Sequence, residues 1–205
     1  MQEFLSPKHQ LLLIQCLLVS CREVERLALS QEGSKRDRYW ARKQMPYIID
    51  SSIKQAIDSG ELPFRYLEQR VLENGFPYLC FLFNDLCFTV SKTEGEHSMP
   101  RKSGFRERNS QLNRQLLLGT EEIGFIRLNR ASIVQDIIYG VLCYDYKGSE
   151  LLHLGLGIPD ESYIRWLDYK SFEIPRVRLL ESVEKIADVG EPELKKTLRK
   201  KSKSS

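Results

Sequence analysis

Asp85, Lys92 and Glu94 fall in one short stretch, and they are the residue types with which a metal-dependent nuclease holds Mg²⁺ and activates water. The usual acidic-x-lysine pair on one strand is absent, because Val90 and Ser91 precede Lys92. Asp85 also has a plainer role in an Asn84-Asp85 turn, where such residues tolerate positive φ. Asp145 and Glu150 are placed to face each other across a second turn, and two close carboxylates would raise one pKa for acid–base work. A register shift of one residue removes that opposition, and exposed turn carboxylates are common. The three histidines, His9, His97 and His153, stand far apart, with neither CxxC nor HExxH. A zinc site would therefore need distant histidines to converge with carboxylates, so no metal or other cofactor is expected. GxSxG, GxGxxG and P-loop motifs are absent, and Cys80 and Cys143 lie in apolar runs where a thiolate is costly. The residues assign no reaction.

A different chemistry is offered by Ser91–Ser110, which holds Lys92, Arg101, Lys102, Arg106 and Arg108 together with Gly95, Pro100 and Gly104. The pattern predicts a long mobile loop, a kind of segment that is often functional. Arg101, Lys102, Arg106 and Arg108 suit phosphates, and Phe105 suits stacking on a base. The competing reading is a loop ordered by a protein partner, with Phe105 as its anchor. Glu94, Glu96 and Glu107 dilute the positive field and favour the protein.

These residues must be held by a sheet. Phe76–Phe83 runs through Asn84-Asp85 into Leu86–Val90, and Ile137–Tyr144 runs through Lys147-Gly148 into Leu151–Leu156. Apolar β-branched and aromatic runs broken by short turns read as hairpins. With Phe83 and Leu86 flanking the first turn, Leu82 opposes Cys87 and Thr89 opposes Cys80. The two cysteines are then diagonal and too far apart for an unstrained disulfide. Gly155-Leu156-Gly157 reads as close backbone approach or a bulge, and His153, between Leu152 and Leu154, reads as a sheet-facing histidine. A helix is predicted over 7–30, capped by Ser6 with Pro7 in its first turn and striped by Leu13, Leu17, Val24 and Leu27. Gln31–Lys43 is polar and basic, with Tyr39 and Trp40 as anchors. A second helix over 47–58 carries Ile49, Ile53, Ala56 and Ile57 and ends at Gly60. Residues 64–72 lean towards a strand that turns at Asn74-Gly75. A short helix over 110–118, a strand over 123–128 and a helix over 181–187 complete the reading.

The expected fold is α+β: N-terminal helices packed on a mainly antiparallel sheet of five or six strands built from hairpins. Residues 1–60 would be the helical part, 61–176 the sheet domain, and 177–205 a C-terminal helix with a basic disordered tail. The chain of 205 residues is 41% apolar and 29% charged, ordinary for a globular protein. Its longest helical apolar run, Leu11–Val19, falls short of the roughly 20 residues a bilayer needs, and no signal peptide is recognisable. With an odd number of cysteines, five, this predicts a cytoplasmic protein with reduced thiols and no membrane span. The net charge of +3 includes six basic residues from Lys195 to Lys203. Removing those six leaves residues 1–194 at −3, which excludes a globally basic nucleic-acid binder. The tail could still touch phosphates.

In order along the chain come an aromatic strand ending in a lysine (Phe88 to Lys92), a polar stretch with Asn109 and Gln115, then Leu118-Gly119. A strand carrying Asp145-Tyr146-Lys147-Gly148 follows, then Pro159 and Trp166. Over residues 40–170 this order resembles a family of small bacterial proteins encoded beside helix-turn-helix or zinc-peptidase-like regulators in toxin–antitoxin and phage-defence modules. Two basic residues follow the aromatic in that family's pattern, where this chain has Val90 and Ser91. The resemblance implies a toxin-like effector neutralised by a cognate regulator, which would bind the loop over 91–110 or the surface from Trp40 to Tyr47. Alternatives are a non-enzymatic adaptor or antitoxin that holds nucleic acid through the loop and tail, and a Mg²⁺-dependent nuclease.

Overall fold

The computed structural model describes residues 5–30, 39–40, 43–70, 77–114, 125–128, 131–134 and 137–174. Among the described residues come first the helices α1 (Pro7–Ser30) and α2 (Met45–Asp58), then strands β1 (Arg65–Arg70), β2 (Pro77–Phe83) and β3 (Leu86–Lys92). A short helix α3 (Gly104–Ser110) runs into a 3-10 turn at Gln111–Asn113. Then come β4 (Phe125–Leu128), β5 (Ala131–Val134), β6 (Ile138–Lys147), β7 (Glu150–Pro159) and β8 (Trp166–Ser171). The α+β architecture is as expected, and residues 1–173 form one compact unit. The expected C-terminal helix and tail lie outside the described residues, as does the turn at Asn74-Gly75.

Local chemistry explains the helix ends. The Ser6 hydroxyl accepts from the His9 backbone N–H at 3.4 Å, the bond an N-cap supplies to an orphan donor. Gly60 closes α2 at φ +78, its N–H donating to the Ile57 carbonyl at 2.9 Å, a conformation glycine adopts without a β-carbon clash. Leu13, Leu17, Cys21, Val24 and Ala28 of α1 and Met45, Ile49, Ile53 and Ala56 of α2 are buried, the i, i+3/i+4 stripe of a core-facing helix. No helix among the described residues is long and apolar enough to cross a membrane.

Six strands form one sheet in the order β1-β2-β3-β6-β7-β8, and β4 and β5 form a separate antiparallel pair. Every neighbouring pair in the large sheet is antiparallel except β3 and β6, which run parallel. A parallel neighbour cannot be reached by a tight turn, so the chain after Lys92 must cross a face of the sheet before entering β6. Alternation along the strands puts Phe81, Phe88, Leu142 and Leu156 on the face that packs on the helices. Phe64 meets His9 of α1, Phe83 and Phe88 there. The opposite face carries Cys80, Cys87, Tyr139, Val141 and Cys143, and these are buried as well.

At the first hairpin Leu82 pairs with Cys87, as the two-residue turn requires. Asn84, not Asp85, takes the left-handed conformation there (φ 50). The β2–β3 ladder stops at Phe81 and Phe88, so Thr89 does not pair with Cys80. Instead its hydroxyl shares a 2.7 Å hydrogen bond with Tyr139.

Candidate functional site

The segment expected as a mobile loop over 91–110 is instead the crossover between β3 and β6, and it lies on the sheet as a strap. Its backbone leaves β3 with the Thr93 N–H donating to the Tyr144 carbonyl at 2.8 Å. It turns through Gly95 (φ 99) and His97 (φ 61). The His97 carbonyl takes the Trp166 indole N–H at 2.8 Å, and the Ser171 hydroxyl donates to Glu96. Farther along, Phe105 stacks on Tyr78 at 4.2 Å, and Met99 and Leu112 pack against the buried cluster. The Ser110 hydroxyl donates to the Glu161 carbonyl at 2.9 Å. Asn113, fully buried, ends the strap: its Nδ2 donates to the carbonyls of Tyr139 (2.9 Å) and Pro159 (2.7 Å), and its Oδ1 accepts the Tyr139 N–H at 2.8 Å.

This arrangement redistributes the expected binding residues. One face of the Phe105 ring is committed to Tyr78, and the Arg106 guanidinium lies 4.9 Å from its centroid. Lys102 pairs with Glu107 at 2.9 Å, and the Arg108 Nε donates to the Gly104 carbonyl. Arg101 and Arg108 are exposed, whereas Arg106 is partly buried and donates from Nη1 to the Arg101 carbonyl at 2.9 Å. Tyr39 and Trp40, expected as anchors, are 55% and 54% exposed, and Tyr47 at the start of α2 is 47% exposed. The Tyr39 and Trp40 rings meet edge to face, and the Lys43 ammonium lies 5.1 Å over Tyr39. Among the described residues the large exposed aromatics are therefore those just before α2 and in its first turn.

The nuclease arrangement does not assemble from the residues considered for it. Asp85 and Lys92 flank opposite ends of β3, about 20 Å apart at the strand rise. Lys92 lies 3.9 Å from Asp145 and over the Tyr146 ring at 4.7 Å. Asp145 pairs with His153, not Glu150, and Glu150 pairs with Lys147. All five cysteines are buried and free. Burial pushes the Cys16 thiol up to about 11 and Cys21 to about 12, and it also raises Cys143. A hydrogen bond with Cys87, together with burial, raises Cys80. Such thiols are poor nucleophiles.

Two of the three histidines do converge. His153, 8% exposed, has Nε2 at 2.5 Å from the Tyr169 hydroxyl, and the His97 ring lies 4.6 Å from Tyr169 with Glu96 beside it. Burial lowers the His153 pKa and raises that of Tyr169, and the tautomer of the imidazole sets which of the two groups donates in the bond between them. Among the described residues no group of three His, Cys, Asp or Glu is placed to hold a metal. The glycines seen in the sequence make this layer possible. A β-carbon on Gly155 would lie 2.6 Å from the Tyr169 oxygen, and one on Gly157 would lie 2.5 Å from the Trp166 ring.

Sequence reasoning missed Asp50. From α2 its carboxyl accepts the Leu79 N–H, and burial raises its pKa to about 7. Its place in the helix, one residue from the buried Ile49, was the available signal. No family model, curated protein or solved structure compared with the chain matches it.

Proposed function

We propose that this chain is the toxin-like effector of a bacterial toxin–antitoxin or anti-phage module, held inactive by a partner protein. The observation that supports a docking role is the trio Tyr39, Trp40 and Tyr47, each about half exposed, where a folded domain would ordinarily bury rings of that size. Exposed tryptophan and tyrosine are the residues that most often anchor protein interfaces. The flanking sequence chooses the partner's chemistry. In sequence, Lys35, Arg36, Arg38, Arg42 and Lys43 flank the pair against the single acid Asp37, so the complementary surface is acidic with an apolar pocket. With Phe105 turned inward, this segment takes the docking role over from the strap.

The test has two arms. Inducible expression of the chain alone should arrest growth, and co-expression of the adjacent gene should restore it; unaffected growth would remove the effector reading. Binding of the purified chain to the adjacent gene's product should weaken at least tenfold in Trp40→Ala and in Tyr47→Ala. Undiminished binding in both would move the interface elsewhere.

A further inference from the structure

The two ends of the strap are fastened to the sheet by different chemistry. Asn113 holds the far end through amide hydrogen bonds to Tyr139 and Pro159, which do not titrate. The near end, the turn at Glu96 and His97, is held on β7 and β8 by groups that do. The His97 carbonyl takes the Trp166 indole N–H at 2.8 Å, the Ser171 hydroxyl donates to Glu96, and the His97 ring lies 4.6 Å from the Tyr169 ring. His97 itself adopts φ 61, a left-handed backbone that a residue with a β-carbon keeps only while its surroundings hold it there.

His153 of β7 belongs to the same group of rings. It is 8% exposed, and its Nε2 is bonded at 2.5 Å to the Tyr169 hydroxyl. One phenol ring therefore contacts two imidazoles, with centroids 4.6 Å from His97 and 6.0 Å from His153. Charged and titratable groups approach His153 from four elements. Glu96 and His97 come from the strap, and Tyr169 comes from β8. Asp145 stands opposite in the β6 register, and Lys92 of β3 lies 3.9 Å from that carboxylate. The Cys143 thiol is kept neutral by burial, and Glu173, just past β8, is exposed. Burial lowers the His153 pKa from its ordinary 6.5; Glu96 and Asp145 oppose that fall, and the like charge of His97 deepens it. The closed arrangement therefore loses stability as pH falls below 6.5 through the lowered value.

The His97 and Glu96 side chains are 63% and 55% exposed, so each carries its charge in water without moving. A buried imidazolium is costly, and His153 gains water when the turn that packs on Tyr169 lifts. We propose that the Glu96–His97 turn is an acid-released clasp: proton uptake by His153 frees the turn from β8, while Asn113 keeps the far end of the strap in place. Release bares the Trp166 and Tyr169 rings, which lie on Gly157 and Gly155, so the surface presented in acid differs from that at neutral pH. The clasp is separate from the Trp40 surface and does not depend on the partner reading.

Acrylamide quenching of Trp166 emission between pH 8 and pH 5 tests it. The full chain has two tryptophans, so a Trp40→Phe background reports the clasp alone. The quenching constant should rise at least twofold on acidification, reversibly and with a midpoint below 6.5, while far-ultraviolet circular dichroism stays constant. Adding His153→Gln should abolish the rise, and adding His9→Gln, at the distant α1 histidine, should keep it. A constant quenching, a rise that survives in His153→Gln, or a loss of circular dichroism at the same midpoint overturns the clasp. Should His153→Gln not fold, proton NMR of the imidazoles in the Trp40→Phe chain decides. His153 should titrate at the Trp166 midpoint, and titration at a different pH overturns the clasp alone.

Discussion

Replacing Asp50 with asparagine should make the protein more stable, and only on the alkaline side. β2 and β3 pair only through Phe81–Phe83 and Leu86–Phe88, and beyond that ladder the Asp50 carboxyl accepts the Leu79 N–H. Burial raises its pKa from 3.8 to about 7, and the Leu79 hydrogen bond offsets part of that rise. Between those values the folded chain holds a proton that the unfolded chain has released. Stability therefore falls as pH rises from about 4 to about 7 and is level above that. The shift of about three pH units corresponds to about 4 kcal/mol at 1.36 kcal/mol per unit. Asp50 still meets some water, and halving for that screening leaves about 2 kcal/mol. Asparagine keeps an acceptor for Leu79 and does not titrate. Urea denaturation followed by circular dichroism should give matching stabilities near pH 4 and an advantage of about 2 kcal/mol for Asp50→Asn at pH 8. Parallel pH profiles for the two proteins would refute the burial argument.

Two further substitutions probe the strap face. Asn113→Ala would leave the Tyr139 N–H and two buried carbonyls unpaired and should cost about 3 kcal/mol in urea denaturation. The same change at exposed Gln111 should stay within about 0.5 kcal/mol. Gly157→Ala forces the Trp166 ring off β7 and should cost about 1–3 kcal/mol. In a Trp40→Phe background its indole emission should shift to the red. An unchanged spectrum would mean that the ring does not lie on Gly157.

Much of the fold was legible because local chemistry specified it. Ser6 and Pro7 start α1, Gly60 ends α2, and the Asn84-Asp85 and Lys147-Gly148 turns set both hairpins with Leu82 opposite Cys87. The strand over 65–70 was legible from the Asn74-Gly75 turn signal that follows it rather than from its own apolar spacing, and Gly155 and Gly157 were read as places of close approach or a bulge, of which close approach is found. β5 and β8 were not assigned, and β3–β6 was not expected to run parallel. The strap was misread because Met99, Phe105 and Leu112 are spread thinly among charged residues and follow no single period. The signal was elsewhere. Leu79–Phe83 and Ile138–Tyr144 are apolar at nearly every position, which requires both faces of the sheet to be covered. Among the described residues α1 and α2 cover one of them, and the strap covers the other.

Taken alone, the sequence determined the elements whose signals are local: caps, turns, helical stripes and apolar strand runs. The tertiary structure decided what depends on contacts between residues far apart in the chain. It set Asp145 opposite His153, stacked Phe105 on Tyr78 while leaving Trp40 exposed, and laid the strap on the sheet with Asn113 bonded to Tyr139. Those outcomes follow from which strands become neighbours and which segment must cross the sheet between them. No short window of residues contains that information.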